Sequence, residues 1–250
     1  MNKLNFDGYR YRFNSTKKFN PINSIQQEQL LNCIDFAAQM TFFKTGEHRA
    51  YRTGGQEIRK NGQIFANTLQ GKLAEYAIYN QLKAIYPEIS KPDLNTYSLG
   101  TWDDSDFIIR NKKLAIKSTK HYGELLLLET RDWDNNGNYI PNLSSVNHGY
   151  YDYIILVRMD GNIESIMRQN RLLYSSSITN KQFDDLKNSI LNSSWNYDIP
   201  GFITHEDLVY IIKNEYILPQ NAKLGFNTIM DAENYYVQTG DLRNIDLLNI

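Results

Sequence analysis

Four apolar runs between residues 106 and 159 constrain the fold of this chain more than any other feature. They are rich in Ile, Leu and Tyr and have the length of strands. In one-letter code they are DFIIR (106–110), LAIKSTK (114–120), LLLLET (125–130) and YDYIILVRM (151–159). A short Asn-Lys-Lys sequence after the first run predicts a hairpin with the second. Because LLLLE and YIILV are apolar without alternation, they are typical of strands that are covered on both faces.

The segments on either side of these runs predict the helices that would cover such a sheet. The expected helices span about 24–43, 68–86, 180–193 and a stretch that begins at residue 204. Ser24 and Thr204 each open a sequence typical of a capping box, and Pro87 follows the second helix, where helices commonly stop. The pattern predicts an α/β fold in which a central mixed β-sheet is flanked by helices, built as a single domain over residues 1–250.

The charge balance and the cysteine content exclude several classes of protein. Lys and Arg number 27 against 28 Asp and Glu, so the net charge of −1 excludes a chain coated in positive charge but leaves room for a local basic cleft. A single cysteine, Cys33, has no partner for an internal disulfide. No apolar run reaches the roughly 18 residues of a membrane span, and no P-loop motif is found; the N-terminal residues lack an apolar stretch, so we expect no signal peptide. We therefore expect a cytoplasmic protein without a membrane partner or a nucleotide cofactor.

One lysine and two acids stand out against this background. Side chains alternate between faces along the second strand, so Lys117 points away from Ile116. A lysine in a covered sheet is costly unless its charge has a partner, and across the hairpin the available partner is Asp106. Glu75 borders the apolar stripe of the second helix and also needs a cation. An exposed edge lysine and a glutamate at the helix rim are the alternatives. Asp106, Glu75 and the main-chain oxygen of Ile116 offer the hard oxygen ligands that Mg²⁺ prefers.

The order of these residues resembles the catalytic core of the PD-(D/E)xK nuclease superfamily, of which type II restriction endonucleases are the best-known members. The resemblance rests on the helix with Glu75, on Asp106, and on the Ile-Lys-Ser-Thr sequence at 116–119. It extends over roughly residues 70–160, and more weakly to Arg243. It implies a restriction-endonuclease-like core and an Mg²⁺-dependent enzyme that hydrolyses phosphodiester bonds of double-stranded DNA at a specific sequence. A symmetric recognition site would make a homodimer possible.

The resemblance also implies a role for each of these residues. Asp106 would bind the metal. Lys117 would orient and help to deprotonate the attacking water, or would stabilise charge on the scissile phosphate. Glu75 would be a second metal ligand or would position a water molecule. The catalytic core would span about residues 68–160, with the N-terminal helical part and the C-terminal part as embellishments for DNA binding or dimerisation.

The chain departs from the family pattern at two positions. Ser105 stands before Asp106, where the family has proline, and Ala115 stands where an acid normally precedes the lysine by two residues. Glu75 is the first candidate for the missing carboxylate, and Glu129, at the end of the third strand, is the second. The alanine supports a second hypothesis, a non-catalytic DNA-binding module derived from a nuclease. A repair or recombination nuclease that recognises DNA structure is a third.

Basic, histidine and asparagine side chains outside this core are candidates for DNA contacts. Arg and Lys contact phosphates, while Arg and Asn can also bind the edges of guanine and adenine. Such residues are found in the loop 47–63, directly after the second strand, and in the long loop 131–149. The candidates are Arg49, Arg52, Lys60, Lys120, His121, Arg131, Asn135, Asn136 and Asn138.

Overall fold

The helices and strands are placed by a computed structural model, which describes residues 1–43, 59–95, 105–142, 149–226, 228–248 and 250. The helices are α1 (Gln27–Thr41), α2 (Asn61–Leu82), α3 (Ile163–Gln169), α4 (Asn180–Leu191) and α5 (His205–Lys213). The strands are β1 (Asn5–Phe6), β2 (Tyr11–Arg12), β3 (Asn23–Ser24), β4 (Phe107–Ile109), β5 (Lys112–Lys120), β6 (Leu125–Glu129), β7 (Tyr153–Met159), β8 (Asn196–Thr204), β9 (Ile217–Leu218), β10 (Lys223–Leu224), β11 (Thr228–Ile229) and β12 (Asn234–Gln238).

A five-stranded mixed sheet lies at the centre of the fold, in the order β3-β8-β7-β5-β4. β5 runs parallel to β7, and the other neighbouring strands are antiparallel. α1, α2, α3 and α4 contribute apolar side chains to one face, where they pack with Leu114 and Ile155. On the other face, Ala115 and Ile154 pack with side chains of β6, β12 and α5. The predicted α/β fold, a central mixed sheet flanked by helices, is therefore confirmed.

The LLLLE run forms β6, but this strand does not join the central sheet. It pairs with β12 in a separate antiparallel sheet of order β6-β12-β9. Leu126 and Leu128 of β6 are buried in the same apolar cluster as Ala115, so this second sheet covers a face of the central one. A continuous apolar run thus indicates that a strand is covered, but it does not indicate which sheet the strand joins.

The hairpin between β4 and β5 closes on Arg110 and Asn111, whose φ angles are both positive, at 46° and 64°. Two central residues with positive φ are typical of a type I′ turn, whose twist matches that of the flanking strands. The turn lies earlier than the sequence predicted, because residues 112 and 113 already belong to β5. The resulting register pairs Phe107 with Leu114 and brings Asp106 next to the following residues of β5.

The start of α1 differs from the prediction. Ser24 is not a helix cap, because it belongs to β3 and pairs with Asn196 of β8. The capping box is formed instead by Gln26 and Gln29. At α5 the predicted capping box is correct, since the Thr204 side chain accepts a hydrogen bond from the main chain three residues later.

The start of α2 also differs, and this difference lengthens the helix that carries Glu75. The helix begins at Asn61 rather than near Thr68, so three residues of the expected loop are helical. Gly62 makes this possible, because a Cβ at this position would lie 1.9 Å from the main-chain oxygen of Leu172. The glycine lets the first turn of α2 pack directly against the chain that follows α3.

The sequence pattern does not predict β8 or the small sheet of order β1-β2-β10-β11. β8 contains Pro200 and Gly201, which normally argue against a central strand. Gly201 has a φ of 145° and approaches the main chain of Arg243, so the strand tolerates the irregularity there. The strands of the small sheet have two residues each and are too short to show a period. None of the described helices is long and apolar enough to cross a membrane.

Candidate functional site

The candidate site lies where one edge of β5 is left open. β4 pairs with β5 only as far as Leu114, so among the described residues the rest of β5 has no strand partner on this side. Asp106 lies at this point: its main-chain N–H donates to the Leu114 oxygen at 3.1 Å, and its Oδ2 accepts from the N–H of Ile116 at 2.6 Å. In an extended strand the N–H and C=O of one residue point to the same side, so the Ile116 oxygen also faces this edge.

Glu75 approaches the same edge from α2. It is buried, with 7% of its surface exposed, because α2 packs its apolar stripe onto β5. Burial, followed by the negative charge of Asp106, raises the pKa of Glu75 to about 8. The two carboxylates are therefore close enough to repel each other, and they form an acidic pair with one buried and one exposed member.

Lys72, one turn before Glu75, is the cation that the structure places at the acidic pair. Its Nζ donates to Glu75 Oε2 at 2.9 Å and lies 5.6 Å from the centre of the Phe36 ring. Burial opposes its charged form, but Glu75 and Asp106 outweigh burial, and the pKa of Lys72 is raised. Lys72 is not among the residues predicted from the sequence, although its three-residue spacing from Glu75 on a helix predicts such a contact.

Asp93 is a second residue that the sequence analysis missed. It lies in the irregular connection after α2, where its side chain accepts from the main chain and side chain of Asn95. Its negative charge acts on both Lys72 and Glu75 and raises the pKa of each, although less than the other charges do. No period or motif marks a residue in such a connection, so no signal in the sequence could have found it.

Lys117 is on the face that the alternation of β5 predicted, but it does not pair with Asp106. Its Nζ lies 5.8 Å from the centre of the Tyr139 ring. None of the ion pairs within the described ranges joins Lys117 to Asp106. Asp106 instead caps the main chain of Ile116, and Tyr139 belongs to the aromatic group that covers this face. Among the described residues the expected ion pair between Lys117 and Asp106 is therefore not formed. The ion pair at this edge joins Lys72 to Glu75 instead.

The apolar surroundings of Ala115 explain why β5 has no acid at this position. It is buried, with 3% of its surface exposed, among leucine and isoleucine side chains of the second apolar cluster. A carboxylate at this position would be buried among apolar side chains, which is costly. The carboxylate whose pKa responds to the charge of Asp106 is Glu75 of α2.

Glu129, the second candidate, lines a different part of the molecule. It borders a polar cleft of about 400 Å³ whose walls contain neither Glu75 nor Asp106. This polar cleft lies between α2 and β6, and its lining includes Gln70, Ser118, Thr119, Lys120, Leu127 and Glu129. It follows the open part of β5 away from the acidic pair. Lys120 is held there by an ion pair with Glu164, with 2.7 Å between Nζ and Oε2.

The residues predicted to contact DNA are spread over the structure. Arg49 and Arg52 lie outside the described residues. Lys60 is exposed directly before α2, and His121 is exposed beside the rings of Phe19 and Tyr122.

One aspartate organises residues 134–138 of the long loop after β6. Asp134 accepts hydrogen bonds from the N–H groups of Asn136 and Asn138, and from the Asn138 amide at 2.9 Å. The Asn138 side chain is therefore used within the loop itself. Arg131, Asn135 and Asn136 are exposed on the same loop and are free of this constraint on their side chains.

The open edge offers oxygen atoms, the donor type that hard divalent cations prefer. In the part of the chain that the structure describes, no group of three or more His, Cys, Asp or Glu side chains is arranged to hold a metal. The acidic pair and the Ile116 oxygen still offer three oxygen donors, and Mg²⁺ is commonly held by one or two carboxylates with water completing its shell. The repulsion between Glu75 and Asp106 is the feature that a cation would relieve.

Comparison with known proteins adds no relative. No protein-family model matches the chain, no curated protein is similar to it, and no solved structure matches its fold.

Proposed function

We propose that the chain is an Mg²⁺-dependent endonuclease that hydrolyses phosphodiester bonds of double-stranded DNA, of the site-specific restriction type. The observation that supports this most is the acidic pair at the open edge of β5, where a buried Glu75 and an exposed Asp106 repel each other. The resemblance of the Glu75, Asp106 and Ile-Lys-Ser-Thr segments to the PD-(D/E)xK core points to the same chemistry.

Each group of the site has a part in this proposal. Asp106, Glu75 and the Ile116 oxygen would hold Mg²⁺. Bound there, Mg²⁺ would supply Lewis-acid stabilisation of the charge that develops on the phosphate. Lys72 keeps the buried Glu75 carboxylate in place through its 2.9 Å ion pair. The exposed position of Asp106 leaves room for a phosphate on the solvent side, where Lys117 would act on the attacking water or the phosphate.

A non-catalytic DNA-binding module is the second candidate, and a specific observation favours it. Ala115 leaves the strand without an acid, and Lys117 lies over Tyr139 rather than beside Asp106. A chain that has lost catalysis would retain the fold and the exposed basic side chains. This candidate predicts binding to DNA without hydrolysis.

Incubation of the purified protein with unmethylated phage DNA, in Mg²⁺ and in EDTA, tests the proposal. Discrete fragments that form only with Mg²⁺ are the expected result. A smear, or a preference for branched DNA, would assign a structure-specific nuclease instead. Intact DNA together with a shifted band in a native gel would support the binding module and would refute the enzyme.

A further inference from the structure

The N-terminal segment has a charge that differs from that of the whole chain. Its first 18 residues contain five basic residues and one acid, in a protein whose net charge is −1. Aromatic and basic residues alternate there in the sequence Tyr-Arg-Tyr-Arg-Phe at 9–13. Basic side chains interleaved with aromatic rings are typical of surfaces that bind nucleic acid strands.

This segment builds one wall of an aromatic pocket of about 560 Å³. β1 and β2 form a small sheet with β10 and β11, and the pocket lies between that sheet and β6. The pocket is lined by Arg12, Phe13, Thr119, Tyr122, Leu127 and Phe226, among others. Three of its aromatic side chains are unusually exposed: Phe226 at 87%, Tyr122 at 60% and Phe13 at 36%. Large exposed rings that line one concavity indicate a binding site rather than a folding requirement.

Basic groups are held at the rim of this pocket. Arg12 donates from Nε to Asp7 Oδ2 at 2.9 Å, which orients its guanidinium, and the side chain remains 54% exposed. Arg10 reaches the main-chain oxygen of Gly225 at 3.4 Å, next to Phe226. The rim therefore presents two guanidinium groups, of which that of Arg12 is in an ion pair with Asp7, while the rings below it offer flat apolar faces; Glu124 is the acid among the lining residues.

The aromatic pocket adjoins the polar cleft, which follows the open part of β5 away from the acidic pair. Thr119 and Leu127 line both. At its other side the polar cleft contains Gln70 of α2, whose amide lies 3.4 Å from Ser118 Oγ, and α2 continues from there to Glu75. An extended chain could thus pass from the acidic pair along the open edge of β5 into the aromatic pocket.

We propose that the aromatic pocket binds an unpaired DNA strand, with bases stacked on Phe13, Tyr122 and Phe226 and phosphates at Arg10 and Arg12. Stacking requires the free face of a base, and a duplex offers none along its length, so a single strand fits the pocket better than a double strand. A second copy of this chain fits less well, because a two-fold contact would place the same basic rim against itself. Binding of a single strand at the pocket does not depend on the proposed catalysis. A role of the pocket in selecting the DNA substrate rests on the proposed function.

Fluorescence anisotropy with a labelled oligothymidylate and a matched duplex, measured with the full chain in EDTA, tests this proposal. We expect the single strand to bind more tightly than the duplex. Phe226→Ala should weaken single-strand binding about tenfold or more, the scale of one lost base stack. Arg12→Gln should lower the salt dependence by roughly 0.7 in the slope of log K against log salt. Ile229→Ala, 65% exposed on the same sheet but outside the pocket, is the matched control and should bind like the wild type.

The same measurements contain the results that would overturn the proposal. Absence of single-strand binding, or equal affinity in Phe226→Ala and wild type, would remove the pocket as a DNA site. A dimer in sedimentation that Phe226→Ala dissociates would assign the surface to a second copy. Because Phe226 is so exposed, its removal leaves the fold intact, which circular dichroism checks. Tyr122→Ala should weaken single-strand binding independently. Binding is measured in EDTA, where a metal-dependent enzyme does not cleave, so failure of catalysis and failure of this site are separable.

Discussion

Replacing Glu75 by glutamine should remove a pH dependence from the stability of the metal-free protein. Burial and the charge of Asp106 raise the pKa of Glu75 from its ordinary 4.5 to about 8. At a pH between these two pKa values, Glu75 keeps its proton in the folded chain and has released it in the unfolded chain. The unfolded state then binds fewer protons than the folded state, so the free energy of unfolding falls as pH rises through this window. The contribution of protonated Glu75 to the free energy of unfolding is complete below pH 4.5 and lost above pH 8.

The size of this effect follows from the two pKa values. Because one pKa unit corresponds to about 1.4 kcal/mol, the unfolding free energy should fall by roughly 5 kcal/mol across the whole window. The Glu75 side chain is only 9% exposed, so solvent screens little of this effect. Glutamine has almost the same volume and cannot ionise. Glu75→Gln should therefore match the wild type near pH 5 and be more stable by several kcal/mol above pH 8.

Urea unfolding in EDTA, followed by tryptophan fluorescence at several pH values, measures this difference. Glu28→Gln, at an exposed position on α1, is the matched control and should keep the wild-type slope. Addition of Mg²⁺ at pH 8 should restore stability to the wild type, by about 2.7 kcal/mol at a hundred times its dissociation constant, and less to Glu75→Gln. If Glu75→Gln and the wild type lose stability in parallel as pH rises, the reasoning from burial and repulsion is wrong.

Three further substitutions test the other members of the site. Asp106→Ala should abolish cleavage while sequence-specific binding in a gel-shift assay stays measurable or becomes stronger, because a carboxylate that faces the phosphates is gone. Lys117→Ala should lower the cleavage rate about a hundredfold with an unchanged urea midpoint; a change in stability alone would indicate an edge lysine without a catalytic part. Ala115→Glu should lower both activity and stability, the latter by about 3 kcal/mol or more in urea unfolding, because its carboxylate would enter an apolar cluster. A clear gain in rate would contradict this.

The sequence predicts the elements of the site better than their contacts. Strand alternation correctly separates the faces of β5, and helical spacing correctly brings Glu75 toward the core. The ion pairs do not follow from these patterns, because periodicity assigns a face but not a partner. The hairpin register allows Lys117 and Asp106 to pair. Asp106 nevertheless accepts a hydrogen bond from the Ile116 N–H, and Lys72 donates to Glu75 within the same helix.

The rest of the fold fails to follow from the sequence for two different physical reasons. β8 contains a proline that normally excludes a central strand, and the register shift between Leu156 and Arg158 of the neighbouring β7 accommodates it. The strands of the small sheet are held by contacts between the two ends of the chain, as where Leu224 pairs with Tyr11. Such long-range pairing leaves no local signal, and the aromatic pocket that depends on it is equally invisible in the sequence.

The rate of DNA cleavage as a function of Mg²⁺ concentration, compared between wild type, Glu75→Gln and Glu129→Gln, shows whether the acidic pair holds the metal. If the acidic pair holds the metal, Glu75→Gln should require a higher Mg²⁺ concentration for half-maximal cleavage, because it removes a negative charge that a hard cation needs. Glu129→Gln, a change of the same size in the polar cleft, should leave the curve unchanged. A shifted curve for Glu129→Gln with an unchanged one for Glu75→Gln would move the metal from the acidic pair to the polar cleft, and no cleavage by the wild type at any Mg²⁺ concentration would refute the enzyme.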